Sequence, residues 1–504
     1  MNRREAIAAM VGAATLSPEL LGLSPKDRDG GAASRGLPRV VVHPEGHFLQ
    51  LENGAPFFWL GDTAWQLVHD LTREECAYYL RTRARQGYTV VQTVILSEFD
   101  GLNQPNAFGE RPLLSNDPGR PNAAYFDRVT EIVDQAAAEG LYVALVPAWG
   151  DKLTAPWGVG PRIFTGDNLP AARAYGHYLG NLLSGRTNVI WLLGGDRPAQ
   201  VLGSSNDYFS KAAADAGFGA TPNWTPIWRE MAAGLGDGGG RSPLVVYHPQ
   251  AGEMSSSVLL PHERWLSVNG MQSGHGGGHD VPVWDWIARD FALEPKKPTL
   301  DLEPNYEDHP YNPWPRWDPA TGYFRDHDVR KQTYRSVFAG GCGVTYGHHA
   351  VWQFAGPRKE VINHADRDWI DALWRPAGRQ MQFLRRLVES RPFFSRIPDP
   401  ALVEGANPPG GRHILATRDR SGAFAFVYFP ECDQEASLDL GRLSGTTLRA
   451  WWYDPRAGVG TLVGDIRGKE IRPFRSPAYG PDWVLVLDDR SSGFAPPGLS
   501  AASS

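Results

Sequence analysis

Eight short apolar runs recur between Phe57 and Leu387, each closing on polar or aromatic residues and alternating with helical stretches. This alternation constrains the chain most. Strands joined through helices run parallel, and eight of them close into a (β/α)₈ barrel. The fourth run is the clearest, NVIWLLGGDRP at Asn188–Pro198. Val189 to Leu193 is broken by Gly194-Gly195, which deliver Asp196 and Arg197. A run of that length bounded by glycines suits a strand buried on both faces. The seventh, KPTLDLEP from Lys297 to Pro304, has the same form and delivers Glu303.

The other runs fit between these two. Pro56–Leu60 is followed by Gly61-Asp62-Thr63-Ala64-Trp65, and Tyr88–Leu96 is the second strand. Leu141–Pro147 precedes Trp149-Gly150, and Leu244–Tyr247 precedes His248-Pro249. Trp265–Met271 precedes Gln272-Ser273-Gly274-His275, and Gly343–Tyr346 precedes Gly347-His348-His349. Thr72 and Glu75 form a capping box that opens a helix to about Arg85, with Gly87 as its stop. Further helices are predicted near Asn122–Glu139, Pro170–Leu183, Pro226–Leu235 and Asp328–Phe338. Asn53-Gly54 marks a tight hairpin turn ahead of the first barrel strand.

Both ends differ in texture. Arg3-Arg4 followed by the apolar stretch Ala6–Leu16 resembles a twin-arginine export leader, too short to span a bilayer. Lys26–Pro38 reads as a linker. Beyond Pro398, short runs at His413–Thr417, Ala423–Phe429, Thr447–Tyr453 and Trp483–Leu487 alternate with Gly, Pro and Asp turns, as in a small β-sandwich. The expected organisation is leader and linker over 1–38, barrel over 39–395, sandwich over 396–492 and a disordered tail over 493–504. The net charge of −6 gives no reason to expect nucleic acid or an anionic membrane as partner. Cys76, Cys342 and Cys432 are too far apart for a disulfide framework or a zinc motif. Neither a nucleotide-binding glycine loop nor a G-x-S-x-G elbow follows any strand, and no cofactor is expected.

Barrel enzymes place their chemistry at the carboxyl ends of the strands. Asp196 and Glu303 sit at the ends of strands four and seven, which face each other across the mouth. Hydrolysis of a glycosidic bond needs such a pair, one a proton donor and the other a nucleophile or a base on water. Glu98, Asp100, Asp62, Asp301 and Glu307 are competing acids. Asp301, two residues before Glu303, is expected on the same side one layer deeper. Asp62 is expected to hold a sugar hydroxyl or a neighbouring arginine. Trp65, Trp149 and Trp352 are candidates for stacking on a sugar. Gln92, Arg197, His248, Gln272, His275, Tyr306, His348 and His349 complete the expected substrate-binding set. Arg197 pointing at Asp196 would oppose an acid role, so it is expected to turn toward another acid or the substrate.

The segments Gly61–Trp65, Gly194–Arg197, Tyr247–Pro249, Gln272–His275, Leu302–Pro304 with Tyr306-Glu307, and Tyr346–His349 with Trp352 resemble, in order, the apiosidase-like glycoside hydrolases. The C-terminal part resembles the collagen-binding-type sandwich often appended to them. The resemblance implies a barrel glycosidase acting on plant-type polysaccharide or glycoside, with apiose release the best-known activity. It also implies Asp196 as acid/base and Glu303 as nucleophile. The strand-four and strand-seven arrangement resembles that of retaining enzymes, in which the carboxyls lie roughly 5–5.5 Å apart. Two other readings compete. One is a catalytically silent carbohydrate-binding protein of the same fold. The other is a metal-dependent hydrolase built on His275, His279 and Asp280, although the three glycines between the histidines disfavour the helix that would make them chelate.

Overall fold

The computed structural model describes residues 36–154, 158–202, 210–211, 214–215, 217–219, 221–252, 255–311, 317–358 and 360–499. The leader expected over 1–38 lies outside the described residues except for its last three positions. Among the described residues no helix is long and apolar enough to cross a membrane.

Eight parallel strands form the core: β1 (Trp59–Thr63), β2 (Val90–Leu96), β3 (Tyr142–Ala148), β4 (Val189–Gly194), β5 (Val245–His248), β6 (Asn269–Met271), β7 (Thr299–Asp301) and β8 (Gly343–Tyr346). Neighbours pair in chain order from β1 to β5 and from β6 to β8, and β8 pairs with β1. A parallel bridge from Val246 to Val268 closes the ring between β5 and β6. The expected barrel is therefore present. Its sixth strand is shorter than Trp265–Met271 predicts, because the chain still turns there, with Leu266 N donating to Glu263 O at 3.3 Å.

Side chains alternate across these strands as the pleat requires. Trp59, Val90, Val94, Ala144, Val146, Ile190, Leu192, Val246 and Leu300 fill the interior. Leu60, Val91, Ile95, Val143, Leu145, Leu193, Val245 and Val344 pack outward against the helices. Those helices are α1 (Arg73–Arg85), α2 (Ala123–Ala138), α3 (Leu169–Leu182), α4 (Thr225–Gly239), α5 (Val283–Phe291), α6 (Asp326–Phe338) and α7 (Pro376–Glu389). The capping box is formed: the Thr72 hydroxyl accepts from Glu75 N, and Glu75 Oε2 accepts from Thr72 N at 3.0 Å. A small antiparallel sheet of Val40–Val42, Leu49–Leu51 and Pro56–Phe57 packs Val40, Leu49 and Phe57 into the interior cluster.

The C-terminal region has two antiparallel sheets. Strands β9 (Arg396–Pro398), β11 (Leu415–Asp419), β12 (Phe424–Phe429), β14 (Thr447–Asp454), β15 (Val459–Arg467) and β17 (Trp483–Asp489) make a six-stranded sheet. Strands β10 (Val403–Glu404), β13 (Glu435–Asp439) and β16 (Ile471–Arg475) make a three-stranded one. Ala425, Val427 and Leu485 face Leu438 in the core between them. The other face of the larger sheet lies on the barrel. Tyr334 and Phe338 of α6 stack on Tyr428 and Phe426, and Arg330 pairs with Asp482 at 2.8 Å. The tail expected from 493 onward is packed over its described part. Phe494 lies under the Arg391 guanidinium, and Gly498 N donates to Ser390 Oγ at 3.2 Å.

Candidate active site

The site stands at the carboxyl ends of the strands. After β4 the chain runs through three consecutive left-handed residues, Gly194, Gly195 and Asp196, at φ 97°, 85° and 52°. Asparagine and aspartate are the side chains that best tolerate this region. Glycine at 194 is also a matter of space, since a Cβ there would lie 2.2 Å from the His248 carbonyl oxygen. The turn brings Asp196 N to 3.4 Å from His248 Nδ1 and sets the carboxyl at the edge of a cleft of about 710 Å³. Gln250 Nε2 donates to Asp196 Oδ1 at 3.3 Å, and Arg197 Nη1 reaches Oδ2 at 3.3 Å. Desolvation in the cleft pushes the Asp196 carboxyl up to about 7. Arg197 opposes that rise, while the charges of Glu303 and Glu98 add to it.

Glu303 lies two residues beyond the end of β7 and sits in different surroundings. His248 Nε2 approaches its Oε2 at 3.0 Å and His275 Nε2 its Oε1 at 3.4 Å. His275 Nδ1 accepts from Tyr306 N at 3.3 Å, which leaves Nε2–H to donate to Glu303. His248 Nδ1 lies 3.1 Å from the Pro249 carbonyl oxygen and 3.4 Å from Asp196 N. Burial alone would raise the Glu303 pKa, but hydrogen bonds from His248 and His275 outweigh it and hold the carboxyl down at about 2. Glu303 is thus an anion at any ordinary pH, and Asp196 holds a proton up to near neutrality. Tyr306 lies beside Glu303, its phenol pushed well above the usual range by burial and by the Glu303 charge. Its ring lies against Gly347, where a Cβ would come within 2.0 Å of Cε1.

Of the residues expected at the site, Trp65, Trp149, Asp196, Gln272, His275, Glu303, Tyr306 and Trp352 line the cleft. Trp65 stands edge-on to Trp149 at 5.0 Å and to His248 at 5.4 Å. His248 lies fully buried behind Glu303. His349 accepts from the Trp352 indole at 3.3 Å and meets Asn363 O at 2.7 Å, so it props Trp352 and does not line the cleft.

Others stand away from the cleft. Asp62 falls on the outward face of β1, where Arg83 Nε donates to it at 2.7 Å and Tyr79 OH at 2.5 Å. Of its two expected partners, it has the arginine. Gln92 is inside the barrel, donating to Thr63 Oγ1 and Leu302 O. His348 is buried on Asp308 at 3.2 Å. Arg197 is fully buried; it takes Glu98 at 2.5 Å, as expected of a residue turned to another acid, yet also keeps the longer contact to Asp196. Asp301 points outward to the Ser273 hydroxyl at 2.6 Å, because β7 ends there and the strand alternation does not continue to Glu303.

The residues of the metal reading diverge. His275 serves Glu303, His279 meets Asp328 at 2.8 Å, and Asp280 meets Lys331 at 2.6 Å. Among the described residues no group of three or more His, Cys, Asp or Glu side chains could hold a metal ion. The cleft also holds residues the sequence did not single out. Gln250 donates to Asp196, and His309 stacks on His275 at 4.4 Å with Trp317 edge-on at 4.6 Å. A Gln two residues past a strand end and a His-Pro in a loop carry no signal without that geometry.

Residues 43–395 match the family model described as "Apiosidase-like, catalytic domain". Residues 397–488 match the one described as "Putative collagen-binding domain of a collagenase". A solved structure described as "Glycoside hydrolase" is 30% identical, covers 90% of this chain and 97% of its own, and superposes with a TM-score of 0.76. A glycoside hydrolase family 5 structure from Bacteroides vulgatus ATCC 8482 is also 30% identical, with coverages of 92% and 96% and a TM-score of 0.77. No curated protein matches the chain. With a barrel, a cleft between two carboxyls and a family match over most of its length, the chain belongs to the apiosidase-like family and is a glycoside hydrolase.

Proposed function

We propose that the protein is a retaining glycosidase in which Glu303 attacks the anomeric carbon and Asp196 is the general acid, then the general base. The observation that carries this reading is the opposite setting of the two acids. One carboxylate sits between two imidazole Nε2 atoms, at 3.0 Å and 3.4 Å, and the other is desolvated beside two negative charges. Environments that push two carboxyl pKa values apart are what assign acid and nucleophile. In the first step Asp196 gives its proton to the leaving oxygen while Glu303 forms a glycosyl ester. In the second, the Asp196 carboxylate takes a proton from water, which displaces Glu303. Trp65, Trp149 and Trp352 offer flat faces to the sugar.

The substrate class is a plant-type glycan or glycoside, with a terminal apiose the first sugar to test, in keeping with the family match. Export through the Arg3-Arg4 leader is part of the reading. Unprocessed protein in the cytoplasm of a host with a working twin-arginine pathway would remove that part.

The chemical test is a screen of monosaccharides released from plant cell-wall glycans by wild type, Asp196→Asn and Glu303→Gln. Each variant is expected to lose about a hundredfold to ten-thousandfold in kcat, the range for a positioned acid or base. Full turnover by either would sink the assignment. NMR of the first-formed anomer reads the stereochemistry, and an inverted product would exclude the covalent role of Glu303.

A further inference from the structure

We propose that Glu98 is a positioning residue for the reaction: by holding the Arg197 guanidinium, it prevents that cation from fixing Asp196 as an anion. The inference rests on the acid/base reading of Asp196 and extends it to a residue in the loop after β2.

Arg197 follows the acid directly in sequence, and its guanidinium is divided between two carboxyls. Nη2 donates to Glu98 Oε1 at 2.5 Å, while Nη1 donates to the Asp196 carbonyl at 2.7 Å and only at 3.3 Å to Oδ2. The guanidinium cannot swing away. The side chain is fully buried, and the backbone of Gly150 closes over it so tightly that a Cβ there would come within 2.4 Å of Arg197 Cγ. Tyr247 OH, donating to Arg197 O at 3.0 Å, pins the backbone. A buried, immobile cation next to a general acid would strip the acid of its proton unless its charge were met elsewhere. Glu98 meets it from the cleft wall.

The other charged or titratable groups facing this cluster are His248, whose Nδ1 lies 3.4 Å from Asp196 N, and the acids Glu303 and Asp151. Glu303 is occupied by His248 and His275. Asp151, close to Arg197, is buried with Lys152 at 2.8 Å and accepts from Val159 N at 3.1 Å. Glu98 pairs with Arg197 at 2.5 Å, closer than Asp196 at 3.3 Å, and its 19% side-chain exposure leaves it open to the cleft. With glutamine at 98 the guanidinium would lose its closest carboxylate, and more of its charge would fall on Asp196.

The test is titration of Asp196 by carboxyl ¹³C chemical shift in aspartate-labelled protein, with the resonance assigned by its absence in Asp196→Asn. No substrate is needed. In wild type the midpoint is expected at about 7. In Glu98→Gln it is expected to fall by about one to three pH units, the range for an unopposed neighbouring cation. Glu98→Asp, which keeps the charge but shortens the reach, should fall between. A midpoint unchanged in Glu98→Gln against about 7 in wild type would overturn the inference alone. A wild-type midpoint near the ordinary 3.8 would overturn the acid/base reading of Asp196 as well. A merely structural role for Glu98 would lower thermal stability without moving the midpoint, and that result also counts against the proposal.

Discussion

Replacing His275 by alanine isolates what holds Glu303 ionised. The Glu303 carboxyl sits at about 2 against a usual 4.5, although burial alone would drive it the other way. At 1.36 kcal/mol per pH unit, that gap is about 3 kcal/mol of preference for the anion. Two imidazole donors supply it, His248 at 3.0 Å and His275 at 3.4 Å. A hydrogen bond to a charged group contributes about 1.5–3 kcal/mol, and the longer bond belongs at the low end. Removing it should raise the Glu303 pKa by about one pH unit.

In wild type, ionised Glu303 and protonated Asp196 should coexist in more than about nine-tenths of molecules from roughly pH 3 to pH 6, set by their values of about 2 and about 7. His275→Ala should lift the acid limb of kcat/KM from about 2 to about 3 and leave the alkaline limb in place. The sign agrees with linkage. A carboxyl held below its unfolded value contributes stability above that value and loses it as pH falls through the folded one. The assay is kcat/KM against pH, with brief acid exposure and return to pH 5 to score irreversible loss. An acid limb that stays put would refute the reasoning. Movement of the alkaline limb instead would place the ionised partner at Asp196.

Further outcomes follow from packing and charge. Gly347→Ala sets a methyl 2.0 Å from the Tyr306 ring and should cost about 1–3 kcal/mol in a denaturation curve, with a drop in kcat as Tyr306 moves off Glu303. Asp482→Ala leaves buried Arg330 with Asp326 as its remaining acid partner, and should destabilise the barrel–sandwich contact by about 3–5 kcal/mol while the pH limbs stay unchanged. Treatment with EDTA should leave turnover intact, because His275, His279 and Asp280 are each turned to a different partner.

The barrel was legible because its strands are short apolar runs closed by breakers, as at Gly194 and Gly347, although Gly61 lies inside β1 and not after it. What each terminal side chain faces was not legible. Asp62 stands one residue from Gly61 and Thr63 on the inner face, so its outward direction follows from strand parity that the sequence alone does not anchor. His248 and His275 read as donors to sugar hydroxyls, while the structure turns both Nε2 atoms to Glu303. That contact joins the ends of three different strands and leaves no local pattern. In the C-terminal region the strands with buried alternation, such as Phe424–Phe429, were evident. Val459–Arg467 and Ile471–Arg475 were not, because they are edge strands largely exposed to solvent, and exposure removes the apolar period.

The aspartate at the end of β4 stands on a sharp turn of the backbone. Residues 194–196 all adopt left-handed φ, so the chain leaves the strand sharply and carries the Asp196 backbone toward His248, within 3.4 Å of its ring. The same turn sets Arg197 immediately below the acid, where its charge would defeat proton donation. A cation in that place is tolerable only if a second carboxylate shares it, and Glu98 stands at that distance. Acid, glycine turn, buried arginine and distant glutamate are therefore one arrangement. Each is intelligible only with the others, and the sequence spreads them over the ends of β2 and β4, nearly a hundred residues apart.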